Sequence, residues 1–238
     1  MGQQEFKLEY GDEELIAYLG KYITAHKKAT IDNVLAQRTR FFTVVLEDIF
    51  KPHNASAVLR TCDCFGIQDI HLIEKTDTYK INPFVTRGAA QWVDLHKYFT
   101  TEGSAVDNCF ERLRSEGYVI YGTSPASNSL SIHDLPILPN QKVALVFGNE
   151  HEGISEEVTS KVDGLVYIPM RGFTESFNIS VSASIFLYEL MKRSKEMEIP
   201  NFNLTEKEQI ELRLRWYKEI VPHADIHERY FRQLMQNL

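Results

Sequence analysis

Val143-Ala144-Leu145-Val146-Phe147 is apolar at every position. A strand with no polar face must be buried on both sides, which a parallel sheet covered by helices provides. The rest of the chain alternates in the same sense. Strand-like runs, rich in β-branched and aromatic residues, read at Phe41–Leu46, Ile70–Ile73, Trp92–Leu95, Tyr118–Gly122, Lys142–Phe147 and Leu165–Ile168. Helical spacing of apolar residues fills the intervals. One helix opens at Pro52 and Asn54 and closes at Gly66; others span Ser104–Ser115, Ser155–Val162 and Asn178–Lys195. The expectation is an α/β fold, a mostly parallel sheet with helices on both faces.

Helical patterns also flank this core. Leu15, Leu19, Tyr22 and Ile23 form one stripe, and Ile31, Val34 and Leu35 form a second behind a cap at Thr30. After Pro200 and Asn201, Thr205 and Glu208 have capping-box spacing ahead of Ile210, Leu214, Tyr217 and Val221. Pro222 ends that helix, and Asp225 with Glu228 caps a last one bearing Ile226, Tyr230, Phe231 and Leu234. The chain thus divides into a helical extension over 1–39, a core over 40–196 and a second extension over 197–238.

Composition narrows the class. No run approaches the roughly 18 apolar residues of a membrane helix, and the first residues lack the apolar core of a signal peptide. A cytoplasmic protein without a membrane partner is expected. Cys62, Cys64 and Cys109 have neither disulfide nor zinc spacing, so buried thiols and no metal are expected. The net charge of −7 opposes long-range attraction to nucleic acid. The charge is segregated, however: residues 21–40 hold five basic residues against one acid, while residues 1–20 hold one against five.

Absent motifs remove several chemistries. No G-x-G-x-x-G follows the first strand, and Gly148 and Gly153 have P-loop spacing without the Lys-Ser/Thr that must follow. There is no His-Glu-x-x-His and no G-x-S-x-G. What remains is three polar segments, each after a strand-like run, where parallel α/β sheets bind ligands. They are N-x-x-A-x-x-R from Asn54 to Arg60, F-G-N-E-x-x-G from Phe147 to Gly153, and I-P-M-x-G-x-x-x-S-x-N-x-S from Ile168 to Ser180. Singly, Asn54 and Asn178 read equally well as helix caps.

In this order the three segments closely resemble the motifs of SPOUT-class methyltransferases, and within them the TrmH family of tRNA guanosine-2′-O-methyltransferases. The resemblance runs from about Arg40 to Lys195. It implies a SPOUT α/β knot, with a C-terminal deep trefoil knot that topology rules would not propose. It also implies S-adenosyl-L-methionine as cofactor and a homodimer. Ile179–Met191, apolar on nearly every face with small Ser180, Ser182, Ala183 and Ser184, suits a helix buried in knot and interface.

Carried over residue by residue, the resemblance makes Arg60 the catalytic arginine with Asn54 orienting it. Glu150, Ser176 and Asn178 match the remaining functional positions. Thr123, Gly148, Ile168 and Phe177 match cofactor-holding positions, with Leu145, Asn149 and Met170 lining the same pocket. Phe177 departs from the usual aliphatic residue there. A guanidinium stays protonated, so a clamp on phosphate and developing alkoxide suits Arg60 better than general-base action. His151 reads as a surface residue.

Relatives acting on ribosomal RNA often carry a separate RNA-binding domain, and about 40 residues before the core are too few for one. Short helices on both sides fit tRNA methylation at guanosine 18 of the D-loop. The alternatives are ribosomal RNA or another tRNA position, or a non-catalytic RNA-binding protein of the same fold. Phosphate contacts are expected from Lys27, Lys28, Arg38, Arg40, Arg171, Arg213, Arg215 and Lys218.

Overall fold

The computed structural model describes residues 11–74, 88–100, 103–149 and 151–236. These residues fall into two compact units, one formed by the described residues up to Arg38 with those from Asn203 onward, the other by Thr39–Phe202.

The second unit is a seven-stranded sheet, parallel throughout. Its strands are β1 (Phe42–Glu47), β2 (Asp69–Glu74), β3 (Asp94–Phe99), β4 (Tyr118–Thr123), β5 (Leu130–Ser131), β6 (Lys142–Phe147) and β7 (Gly164–Tyr167). Their order across the sheet is β3-β2-β1-β6-β4-β7-β5. Every strand of the sequence reading exists, with shifted ends. The third begins at Asp94 rather than Trp92, because a 3₁₀ turn over Ala89–Gln91 takes Trp92 as its C-cap. The two-residue β5 is too short to carry an apolar period. β6 lies at the centre of the sheet, paired with β1 and β4.

The strands alternate between two cores. Phe42, Val44 and Leu46 of β1 face α3 (Pro52–Cys64) and the long α6 (Ile179–Glu196), with Val58, Leu59, Ala183, Phe186, Leu187 and Leu190 completing that layer. Val45 of β1 and Ala144 and Val146 of β6 face the other way, against α4 (Ala105–Ser115) and α5 (Glu156–Lys161). Ser104, Ser155 and Asn178 cap α4, α5 and α6 as side-chain acceptors of backbone N–H groups.

The helical unit contains α1 (Asp12–Leu19), α2 (Ala25–Leu35), α7 (Glu206–Ile220) and α8 (Ala224–Gln236). Its core is Leu15, Leu19, Leu35, Leu212, Leu214 and Trp216. The capping box of Thr205 and Glu208 is formed in both directions. Two caps expected from sequence are displaced. Thr24, not Thr30, caps α2, accepting from the Lys27 N–H at 3.2 Å. The Thr30 hydroxyl instead donates to the His26 carbonyl, 2.9 Å away in the preceding turn. Asp225 lies inside the first turn of α8, beside Arg229, and Glu228 lies further in, between Lys218 and Arg232.

At the β2–β3 edge the sheet buries a polar network. Asp69 and Asp94 are in register, as are His71 and His96. Arg112 can only donate, so His96 Nδ1 accepts from it at 3.1 Å and His96 Nε2–H donates to Asp69 at 2.7 Å. Arg40 adds bonds of 2.7 Å to both Asp69 and Asp94. Burial opposes ionisation of Asp69, but the hydrogen bond from His96 and the Arg40 charge outweigh it and hold this carboxyl well below the usual range. Its contribution to stability is therefore present above the ordinary carboxylate pKa and lost only in strong acid.

His71 behaves oppositely. Its Nδ1 meets the Tyr98 hydroxyl at 3.0 Å, while Nε2 is buried with no hydrogen-bond partner among the described residues. Burial, the largest cause, pushes its pKa down to about 3. Below about pH 6.5 the unfolded chain binds a proton here that the folded chain refuses, so stability falls with falling pH. From pH 7 to 5 this loss is expected to be about 2 kcal/mol. Urea unfolding of His71→Phe should show a fall smaller by that amount; parallel pH profiles would exclude His71 as the cause.

Candidate active site

The loops after β1, β6, β4 and β7 emerge side by side, because those strands are neighbours in that order. This brings the second and third polar segments to one edge of the sheet, next to the N-terminus of α3. The third segment ends at the N-terminus of α6, which packs against α3. The link is direct: Asn178 Nδ2 donates to Asn54 Oδ1 at 3.2 Å. Asn178 Oδ1 meanwhile accepts from the Ser180 N–H at 2.9 Å and from its hydroxyl at 2.7 Å. Two residues that read singly as helix caps are thus joined across 124 positions of sequence.

The loop after β6 is closed by its own backbone. Asn149 and Gly153 exchange both N–H···O bonds, at 3.0 and 3.1 Å. Asn149 Oδ1 accepts from the N–H groups of His151 and Glu152. A Cβ on Gly148 would lie 1.9 Å from the carbonyl carbon of Gly153 and 2.1 Å from the Ile154 nitrogen. Backbone cannot yield as a side chain does, so only glycine fits. Gly148→Ala is expected to cost at least about 2 kcal/mol, a fall of roughly 4–8 °C in Tm by calorimetry. Gly172→Ala, whose Cβ would meet nothing closer than 4.0 Å, is the neutral control.

Sequence reasoning missed the residue that anchors this loop. Glu47, at the end of β1 and 2% exposed, accepts from the Ser155 N–H at 2.9 Å and the Ser155 hydroxyl at 2.5 Å. The signal was present: a lone carboxylate closes the otherwise apolar or small run F-T-V-V-L-E. A buried charge must find donors, and here they are the N-cap of α5, which fixes that loop to β1.

The other expected residues are placed in different ways. Ile168 and Met170 are half-buried, while Ser176 and Phe177 are exposed at the strand ends, open to a ligand. Thr123 closes β4, its hydroxyl donating to the Val146 carbonyl at 3.0 Å. Leu145 is a correction: it lies in mid-strand, 1% exposed in the core beneath α3 and α6. Asn149 supplies loop geometry rather than a side-chain oxygen for a ligand. Glu150 lies outside the described residues.

Arg60 stands apart. It is exposed, six residues beyond buried Asn54, about 9 Å along the helix axis. Asn54 bonds Asn178, so the expected pairing of Asn54 with Arg60 is not the arrangement within the protomer. Arg60 instead lines an open groove of about 940 Å³ with His53, Thr61, Ser184 and Tyr188, and carries no ion pair among the described residues.

The expected phosphate contacts also need correcting. Arg38 is 1% exposed, its guanidinium 5.4 Å from the Trp216 ring centre, and Arg40 is held by Asp69 and Asp94. Arg38 cannot reach a phosphate without dismantling its surroundings, and Arg40, 24% exposed, would have to share its guanidinium with two carboxylates. Arg213 pairs with Asp32 and Lys218 with Glu228, both partly exposed pairs worth about 1 kcal/mol or less, so a phosphate can displace them. Lys27, Lys28 and Arg215 are partly exposed and Arg171 is exposed.

Among the described residues no three His, Cys, Asp or Glu side chains are placed to hold a metal, and no helix is long and apolar enough to cross a membrane. Comparison with known proteins places these features in context. The tRNA (guanosine(18)-2′-O)-methyltransferase of Borreliella burgdorferi is 44% identical over 206 residues, covering 87% of this chain and 91% of that protein. The enzyme of that name from Thermus thermophilus is 31% identical over 71% of this chain and 84% of its own length. Among solved structures, the A. aeolicus TrmH/SpoU tRNA modifying enzyme superposes with a TM-score of 0.72 at 27% identity, covering 83% of this chain and 98% of that one. The model of the SpoU rRNA Methylase family matches residues 42–188, from the first residue of β1 into α6. With all three polar segments inside that match, the chain belongs to the SpoU methylase family.

Proposed function

We propose that this protein transfers a methyl group from S-adenosylmethionine to a ribose 2′-hydroxyl of tRNA, at guanosine 18 of the D-loop. The observation that carries the reading is the Asn54–Asn178 bond, which ties the arginine-bearing helix to the third loop at the strand ends. Likeness over nearly the whole length of the Borreliella burgdorferi enzyme supports the substrate.

The residues present fit the cofactor. Ile168, Met170 and Phe177 offer apolar surface for a purine, and the tight turn around Gly148 brings backbone close without a side chain between. When bound, the cofactor supplies the sulfonium methyl as electrophile. The protein's tasks are then to position the ribose, shield the site and stabilise the oxygen as it loses its proton. Arg60, exposed and unpaired, is suited to hold a phosphate and the developing alkoxide. Asn54, Asn178 and Ser176 shape the loop, with Glu150 as a further member of the site. Lys27, Lys28, Arg171, Arg213, Arg215 and Lys218 supply phosphate contacts.

Two features of the reading concern architecture. The segment from β7 through the third loop to α6 forms the C-terminal trefoil knot. The groove between α3 and α6 is where two protomers meet as a homodimer, setting Arg60 of one beside the cofactor loop of its partner. The protein acts on tRNA in the cytoplasm, without a metal. The test is purified protein with tritiated S-adenosylmethionine and bulk tRNA or rRNA, followed by nucleoside mapping. Label in 2′-O-methylguanosine from the tRNA D-loop, undiminished by EDTA, is expected. Label in rRNA alone, or loss with EDTA and recovery with magnesium, would overturn the substrate or the metal-free step respectively.

A further inference from the structure

Three phenylalanines are exposed among the described residues, namely Phe50, Phe173 and Phe177, and all three lie on loops at the carboxyl ends of strands. Phe177 has a place in the cofactor pocket. The other two have none. Phe173 is fully exposed, with a relative accessibility of 108%, between Gly172 and Thr174 in the loop after β7. Phe50 is 59% exposed after β1 and packs on the His151 ring of the β6 loop, with centroids 5.9 Å apart. Exposed Arg171 lies two residues before Phe173. Folding gains nothing from a ring held wholly in water, and Phe173 shares the strand-end edge with exposed Phe50 and Arg171, where the site is read.

We infer that Phe173, with the Phe50–His151 pair flanking the same edge, stacks on the nucleobase of the nucleotide whose ribose is methylated. The inference rests on the ribose-methylation reading above. Bringing a 2′-hydroxyl to a cofactor recessed among the strand-end loops is easiest for a single-stranded nucleotide splayed from its neighbours, and splaying costs that base its stacking. An aromatic ring at the mouth restores it, while Arg171 is free to hold the adjoining phosphate. Every base has a π-face, so this contact places the nucleotide without choosing guanine.

The test compares wild type, Phe173→Ala, Phe173→Leu and Phe173→Trp on two RNAs: an intact tRNA transcript and one with an abasic ribose at the target position. On the intact transcript Phe173→Ala is expected to lower kcat/KM about 5- to 100-fold, as loss of one base–aromatic stack predicts. Phe173→Trp should restore it and Phe173→Leu should not. On the abasic RNA the alanine variant should match wild type within about 2-fold, since no base remains to stack. Calorimetry with S-adenosylhomocysteine should give equal affinities for all four proteins. Full activity of Phe173→Ala on intact tRNA, an equal loss on both RNAs, rescue by leucine, or lost cofactor affinity or altered sedimentation would each overturn the inference. A wild type that methylates no intact RNA would instead overturn the underlying function.

Discussion

Arg60→Ala is expected to lower kcat about a hundredfold, roughly 3 kcal/mol of transition-state stabilisation, while leaving S-adenosylmethionine affinity within a few-fold. The separation follows from position. Arg60 lines the α3–α6 groove, whereas the loops suited to the cofactor follow β4, β6 and β7. Its guanidinium has no ion-pair partner among the described residues, so its charge is available to substrate. A guanidinium offers five donors and no acceptor, which suits it to stabilise negative charge rather than to take a proton. Arg60→Lys should recover little, because a point charge cannot reproduce a planar fork that grips two oxygens. Phe177→Asp is the complementary probe, expected to weaken cofactor binding before it touches chemistry. Single-turnover rates and calorimetry separate the two. Arg60→Ala that turned over normally, or that lost the cofactor while still folded, would reassign the residue.

What sequence revealed and what it hid divide along the distance over which each interaction acts. Val143–Phe147 announced a doubly buried strand because burial dictates composition residue by residue, and it is the centre of the sheet. The cap Asn178 and the Thr205–Glu208 box were legible because their donors lie two or three positions away. Thr30 reads as the cap because apolar spacing begins only at Ile31, beyond His26, Lys27 and Lys28. The burial of Arg38 and the pairing of Arg40 were hidden for another reason. Basic residues in a basic stretch read as solvated, but the partners of Arg40 are 29 and 54 residues away. Trp216, over which Arg38 lies, is farther still. Glu47 stands out as the lone carboxylate of its run, but what it holds does not, its donors standing 108 positions on. The three loop segments could be seen as a set only through their resemblance to a family; their convergence at one sheet edge follows from strand order, which periodicity does not encode.

Co-expressed Arg60→Ala and Phe177→Asp chains are expected to recover about a quarter of wild-type activity, although each variant alone is nearly inactive, if sites are shared across a two-fold axis. The argument begins on α6, where Val181, Ser184, Ile185 and Tyr188 recur at helical spacing along the groove with α3. Val181 and Tyr188 are 44% and 63% exposed, an apolar edge that a protomer alone leaves in water. Arg60 opens into this same groove, away from the strand-end loops of its own chain. A second copy seated there would cover the apolar edge and receive Arg60 beside its own cofactor loop. Random pairing makes about half the dimers mixed, and each mixed dimer holds one site with both an intact pocket and an arginine from across the axis. Val181→Asp supplies the companion test. A two-fold axis places the buried charge in the interface twice, so sedimentation should show the dimer weakened about a thousandfold, with methyl transfer falling alongside. No recovery in the mixed preparation, with Val181→Asp monomeric yet fully active, would put each complete site within one chain.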